Sequence, residues 1–419
     1  MQLPTEIYDL IADHVENAEY PYITDEGFSA ENRARRQLAR LRLVNRAYCR
    51  STSRHLFRHI TIRLYGRPST IMAIPPLVRL MEISKSPLAH HVRQLEIGFE
   101  GIPKRAEDRP DLEDFAGMLS PCLARFSNLK ELSFGGPRPS PYLSQEETRS
   151  YINSVVKALR YVPLPNIEGL ELHFPLCHDF GLFFPPKRSA VHVPIASILR
   201  PLRRLELEVC AYTDSRHQRF PYRGTILPEY AALPNETYVS SLYQMLEPAI
   251  NLTSLSIDSH DILDLDPVNF SSSIKLRSLI LMGVSISAHN LLSLIMNQSR
   301  ETLQFMYLRL VKLNSETWHH VLSEMTKISP HLTEFYMESA GYSPLGSSAH
   351  LVTAIPSDPD HEPPIETYSR DDLFALGALQ RVVNANRVRA GLRPFSKYEY
   401  QYAESVPPID HFRESYFGI

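Results

Sequence analysis

Two histidine pairs, His90–His91 and His319–His320, and an aspartate run of Asp258, Asp261, Asp264 and Asp266 come nearest to residues that could do chemistry. Neighbouring histidines point to different faces of a helix or a strand, so neither pair suits a single metal ion. The aspartates are spaced like calcium-loop carboxylates, but the central Gly and closing Glu of an EF-hand are missing, so a solvated loop is expected. No Walker loop, GxSxG elbow, HExxH pair or zinc-deaminase signature occurs. Cys49, Cys122, Cys177 and Cys210 are scattered without a CxxC pair, which argues against a zinc finger or a disulfide scaffold and favours buried thiols. The expectation is a protein without catalytic residues, metal or cofactor, acting by recognition.

The residues that recognition would use must be held by a frame, and the frame is legible as one short phrase. An apolar residue, two others, an apolar, one other and an apolar recur as Phe57-Ile60-Ile62, Val92-Leu95-Ile97, Leu129-Leu132-Phe134, Ile167-Leu170-Leu172 and Leu202-Leu205-Leu207. The phrase continues as Leu252-Leu255-Ile257, Leu276-Leu279-Leu281, Leu303-Met306-Leu308 and Leu332-Phe335-Met337. The alternation that closes each copy predicts a strand with one buried face. Helix-like stretches lie between copies, at Tyr151 to Tyr161, Tyr238 to Glu247, His289 to Met296 and Thr317 to Thr326, so strand, helix and strand in succession predict parallel stacking. Pro163, Pro165, Pro201 and Pro248 fall where a helix must stop before the next strand.

The phrase resembles the strand segment of leucine-rich repeats, with Cys210 or Val311 where that family places Asn or Cys, and Ile286 and Leu313 as the next apolar anchors. Copies beginning at 252, 276, 303 and 332 fall within the spacing of roughly 20 to 29 residues such repeats use; those from 57 to 202 are wider and call for longer helices or inserted loops. An ordinary open α/β sheet is the alternative, but it does not account for the shared phrase. The resemblance implies a curved solenoid in which the residues between the buried ones face outward. Those are acidic or small in the early and middle copies, at Glu96, Glu131, Glu171, Glu206, Glu208 and Asp258. They become large and apolar later, at Ile280, Met282, Phe305, Tyr307 and Tyr336, with Arg309 among them, which marks Met282, Phe305, Tyr307, Arg309 and Tyr336 as a candidate partner-binding patch. The carboxyl tail covering this patch is the competing expectation.

The first 62 residues read differently. Ile7, Leu10, Ile11, His14 and Val15 recur at helical spacing after Pro4, and Leu38, Leu41 and Val44 mark a second helix. Asn45 is placed to cap a third helix bearing Tyr48, Thr52 and Leu56. Helices this short must bury their faces against one another. LPTEIYDLIADHV followed by LARLRLVNRAYCRSTSRHLFRHITI resembles an F-box, the adaptor-binding module of cullin-RING ubiquitin ligases, with Tyr48 where many F-boxes have Trp and a longer first spacer. That resemblance implies a Skp-family adaptor, and through it a cullin scaffold, as partners, with Leu3, Pro4, Ile7, Leu10, Ile11, Leu41, Leu43, Val44 and Tyr48 building or supporting the adaptor contact. Arg42, Arg46, Arg50, Arg54 and Arg58 recur every fourth residue and would form one basic stripe if the helix ran on. A solvated face or an acidic protein partner accounts for such a stripe better than nucleic acid, since no aromatic platform, glycine loop or zinc spacing accompanies it.

Composition sets the outer bounds. The 419 residues are 43% hydrophobic and 22% charged with a net charge of −3, as in a soluble globular protein, and nothing pulls it as a whole toward nucleic acid or lipid. No apolar run approaches the roughly 20 residues of a membrane helix, and Glu6, Asp9 and Asp13 disfavour a signal peptide, so a cytoplasmic or nuclear protein is expected. Proline-rich loops are expected at Pro137 to Pro141 and Pro356 to Pro364, and a mobile or surface-draped connection over 343–368. Ser369 and Asp372 then form a capping-box-like start to a helix carrying Leu373, Leu376, Leu379, Val382 and Val383 and stopped by Gly391. Tyr398, Tyr400, Tyr402, Phe412, Tyr416 and Phe417 make the closing segment too aromatic for a free tail.

The expected organisation is an α/β chain: a helical module over 1–62, a repeat solenoid over 63–342, a connection over 343–368, and a helical cap with its tail over 369–419. The function implied by the resemblance is that of a substrate-recognition subunit holding an unknown target protein. The alternative is a repeat scaffold with no ligase association.

Overall fold

The computed structural model describes residues 4–16, 30–64, 76–99, 112–137, 144–184, 193–214, 226–352 and 363–395. Leu3, most of the first spacer, much of both proline-rich loops and the aromatic tail from Tyr398 lie outside the described residues. The chain is mixed α/β with mostly parallel strands, and it divides into two compact units, Met1–Leu170 with Ser189–Val193 and Glu171–Arg188 with Pro194–Ile419.

The first unit opens with α1 (Thr5–Glu16), α2 (Ala30–Arg42) and α3 (Arg46–Leu56). Asn45 caps α3 by accepting the Tyr48 N–H at 2.9 Å. The three helices pack together, but not through the expected face of α1. Tyr8 and Ala12 are its buried residues, with Tyr8 set edge-on to Tyr48 at 4.7 Å, while Ile7 and Leu10 are exposed. The reason is electrostatic as much as steric. Asp9, Asp13 and Glu16 share a flank of α1 that meets α3, where Arg54 pairs with Asp9 at 3.2 Å and the largely buried His55 pairs with Glu16 at 2.7 Å and Asp13 at 3.3 Å. The acidic flank thus faces inward, leaving part of the apolar flank outside. The arginine stripe is interrupted too. Leu43–Asn45 break the helix, Arg42 lies over the Phe57 ring at 5.2 Å, Arg54 is in its ion pair, and Arg58 falls beyond α3.

Next come β1 (His59–Arg63), α4 (Pro76–Lys85), β2 (Gln94–Gly98), α5 (Leu112–Leu123), β3 (Glu131–Gly135), α6 (Gln145–Tyr161) and β4 (Gly169–Phe174), the last straddling the unit boundary. The phrase copies lie in register, Ile60 with Leu95 and Leu132, and Ile97 with Phe134, all buried. Helix α6 starts six residues before the apolar stretch that predicts it, because Ser144 and Glu147 close a reciprocal capping box at 3.2 and 2.8 Å. Tyr151, fully buried, stacks on Phe115 at 5.3 Å and donates its hydroxyl to the Gly135 carbonyl at 3.2 Å.

The second unit carries α7 (Cys177–Phe180), α8 (Ile195–Leu199), β5 (Arg204–Val209), α9 (Pro228–Ala231), α10 (Asn235–Tyr238), α11 (Ser240–Leu246) and β6 (Ser254–Asp264). There follow β7 (Ser278–Ile286), α12 (Ala288–Met296), β8 (Phe305–Leu313), α13 (Trp318–Ile328), β9 (Glu334–Glu338), β10 (Gly341–Tyr342) and α14 (Arg370–Arg389). Leu205, Leu255, Leu279, Met306 and Phe335 form one row across β5 to β9, and Leu207, Ile257, Leu281, Leu308 and Met337 the next. Beyond these rows the backbone passes through a left-handed residue on β7, on β8 and just past β9: Gly283 at φ 65°, Leu310 at 53° and Ser339 at 52°. Each kink shifts the inward phase, so Val284 pairs with Val311, and Ile286 with Leu313 and Tyr342, all buried. Cys210 is buried as well.

The aspartate run is not a solvated loop. It belongs to the continuous strand β6 and the residues just past it, and Asp261 is 3% exposed, accepting from the Thr213 N–H at 2.9 Å, its hydroxyl at 2.6 Å and Asn235 Nδ2 at 2.9 Å. Asp266 accepts from the Ser287 N–H and from Asn290 and Asn314, tying the start of α12 to the end of β8. Part of the 343–368 connection is likewise fixed: Ile365 is buried and bridges Ala340, and Glu366 receives Lys312 Nζ at 2.6 Å. Helix α14 packs on α13 and β9 through Ala375, Leu376, Leu379 and Val383, and Gly391 at φ 76° follows its end. Its start is not a capping box, because the Ser369 side chain makes no cap bond. Asp372 instead turns inward, fully buried, to accept from the His319 N–H at 2.7 Å, the Tyr342 hydroxyl at 2.7 Å and the Thr367 hydroxyl at 2.6 Å.

Candidate functional site

The nine positions expected to contact an adaptor separate into groups in the first unit. Leu3 lies outside the described residues. Pro4, Ile7, Leu10, Leu43 and Val44 are exposed, with Leu10 at 62%, Val44 at 64% and Leu43 at 86%. Ile11, Leu41 and Tyr48 are half-buried, Tyr48 serving the bundle through Tyr8. The bundle buries Tyr8, Ala12, Ala34 and Leu38, while Ile7 and Leu10 on α1 and Leu43 and Val44 in the turn before α3 stand in water. Interaction surfaces have that character.

In the second unit the outward positions of neighbouring strands also line up. Glu206, Ser256, Ile280, Tyr307 and Tyr336 form one row, and Glu208, Asp258, Met282, Arg309 and Glu338 the next. The five expected patch residues are thus brought together on β7, β8 and β9, with Phe305 6.0 Å and Tyr307 6.4 Å from Tyr336 between ring centres. Tyr336 is 39% exposed. Tyr307 donates to Glu338 at 2.9 Å, and Arg309 pairs with the same carboxylate at 3.5 Å. Phe395, itself stacked under Arg387 at 3.7 Å, lies edge-on to Tyr336 at 6.1 Å, so the chain after α14 borders the patch.

At the other end of these rows an unexpected residue organises the carboxylates. His173 sits on β4 with Nε2 at 2.8 Å from Glu171 and 3.8 Å from Glu206, and Nδ1 at 3.0 Å from Glu208. Burial works against its charge, but the three carboxylates outweigh it and push the imidazole up to about 11, so the ring is a cation. Asp258 is pushed up to about 6, first by burial and then by Glu208 and Glu206, against the pull of Arg309 and His173. The alternation that turns Glu171 outward also turns out the residue two further on, so the strand pattern places His173 on the same face.

Among the described residues, two groups bring three possible metal ligands within 4.8 Å, Glu171, His173 and Glu206 in the second unit and Asp13, Glu16 and His55 in the first. In the latter the two ring nitrogens of His55 face different carboxylates, so the ring bridges Asp13 and Glu16 and does not turn one nitrogen to a shared ion. In the former the ring's preference for its proton opposes metal binding, which needs a neutral imidazole. His173 serves its group as counter-charge. His90 and His91 face one another at 3.8 Å, and burial lowers the pKa of His91, with His90 and Arg54 adding to the effect.

No protein-family model matches the chain, and no curated protein matches it. Among solved structures, a structural-genomics protein from Bacteroides fragilis aligns at 13% identity and a TM-score of 0.29, covering 63% of this chain and 64% of that one. A likeness that slight bears on neither fold family nor function.

Proposed function

We propose that this protein is a substrate receptor of a cullin-RING ubiquitin ligase, with α1 to α3 acting as an F-box that docks on a Skp-family adaptor and the strand array acting as a leucine-rich-repeat solenoid that holds a target protein. Helix α14 would close the last repeat. The observation that carries the reading is the exposure of Ile7, Leu10, Leu43 and Val44, four aliphatic residues at positions where the F-box resemblance expects the adaptor. The in-register phrase copies in each unit support the repeat half of the reading. The receptor itself performs no bond chemistry; holding a target beside a charged conjugating enzyme raises its effective concentration there.

The test is capture of a purified Skp-family adaptor by the full chain and by its Leu10→Glu/Leu43→Glu variant. Burying an exposed aliphatic side chain of this size contributes about 1.5 to 3 kcal/mol, so the double variant should bind at least 100-fold more weakly while its thermal unfolding stays within about 2 °C of the parent. No capture by the folded parent protein refutes the ligase reading and leaves the repeat scaffold.

A further inference from the structure

The outward face of β5 to β9 is divided by charge. Its first strands carry Glu206, Glu208 and Asp258, with Arg204 two residues before Glu206 and the His173 cation of β4 against both glutamates; Ile280 and Met282 are half-buried and uncharged in the middle; Phe305, Tyr307 and Tyr336 follow, beside the Arg309–Glu338 pair. At one end the four carboxylates of Glu171, Glu206, Glu208 and Asp258 outnumber the cations His173 and Arg204, which favours a cationic group, whereas the ring cluster at the other favours an apolar one. Register fixes the distance between them. With strands about 4.8 Å apart, Asp258 lies two spacings and Glu206 three from Tyr307, and each lies one spacing further from Tyr336. The ends are therefore roughly 10 to 19 Å apart, which an extended chain rising about 3.3 Å per residue covers in three to six residues.

We propose that this face takes an extended segment of a partner protein that sets a lysine or arginine at Glu206 and Asp258 and an aromatic or large aliphatic side chain against Tyr307 and Tyr336, three to six residues away. This names the class of target for the reading above and rests on its claim that the strand face holds one. Crossing the strands, such a segment meets Ile280 and Met282 between its two anchors and brings no second charge into that stretch. A cation at Asp258 also offsets the burial and the like charges that disfavour its ionised form.

The experiment is selection of a displayed library of random twelve-residue peptides on the full-length protein, repeated on Glu206→Gln/Asp258→Asn and on Tyr307→Ala/Tyr336→Ala. Expected is joint enrichment of Lys or Arg with Trp, Tyr, Phe or Leu at separations of three to six. The first variant should lose the basic preference at least tenfold and keep the apolar one, and the second the reverse. Thermal unfolding of each variant is measured alongside, and loss of the basic preference in a variant that unfolds no more than about 2 °C below the parent is a binding effect. No enriched sequences, acidic enrichment, random spacing, or preferences unchanged in both variants overturns the inference. Adaptor capture by the same preparation is scored separately: intact capture with failed selection sinks only the peptide class, and failed capture with successful selection sinks only the ligase reading.

Discussion

Asp372 is where the carboxyl-terminal helix is most exposed to a single change. Its fully buried carboxylate accepts three hydrogen bonds, from the backbone at the start of α13, from the Tyr342 hydroxyl at the end of β10 and from Thr367 just before α14. Burial, and then Asp372 itself, push the Tyr342 phenol up, so that hydroxyl keeps its proton and remains a donor. Replacing Asp372 by Ala leaves three donors without their acceptor, at roughly 1 to 3 kcal/mol each, while relieving the desolvation of one buried charge, so the expected net loss is about 2 to 4 kcal/mol. Asn in its place keeps one carbonyl oxygen for the His319 N–H, and its amide can donate to the two hydroxyls once they rotate, for a loss of about 1 kcal/mol. Because the chain has two units, the local measurement is the informative one: hydrogen exchange across α14, where 3 kcal/mol corresponds to opening about 100-fold more frequent. Protection of α14 within threefold of the parent in Asp372→Ala, or equal disruption by Asn and Ala, would refute the assignment of this carboxylate as the pin.

Gly283 has φ 65°, and a Cβ there would stand 1.9 Å from the Ser259 carbonyl oxygen, so Gly283→Ala should destabilise the second unit by about 3 kcal/mol or more, read as a drop in its denaturant midpoint. Asp258 yields a pH prediction whose sign is fixed. Its carboxyl rises from 3.8 unfolded to about 6 folded, so the folded state holds the proton more tightly and stability falls as pH climbs from about 4 to about 6. Asp258→Asn should remove that slope and be more stable than the parent above pH 6, on the order of 2 kcal/mol; a variant less stable at pH 7 contradicts it. The surrounding charges are Glu206 and Glu208 on β5, His173 on β4 and Arg309 on β8.

What the sequence revealed and what it hid follow from the range of the forces involved. Strands were legible because each copy of the phrase is local, and the register that aligns Leu205, Leu255, Leu279, Met306 and Phe335 follows from the same repetition. The patch of Phe305, Tyr307 and Tyr336 was legible for that reason too. The inward face of α1 was not, because the pairing of Asp9, Asp13 and Glu16 with Arg54 and His55 joins residues about forty positions apart. Asp261 and Asp372 were misread for a related reason: each looks like a surface or cap aspartate until the distant donors Asn235, Tyr342 and His319 are in place. His173 was overlooked because its importance depends on three carboxylates, two of them on another strand.

Gly283, Leu310 and Ser339 lie side by side across β7 to β10, and the left-handed backbone asks something different of each. Leu310 and Ser339 carry a standing strain of about 1 to 2 kcal/mol apiece, which glycine would lift, whereas Gly283 has no alternative residue open to it. Substitution at this crease is therefore lopsided: glycine on either neighbour relieves the backbone, whereas any side chain at position 283 meets the Ser259 carbonyl.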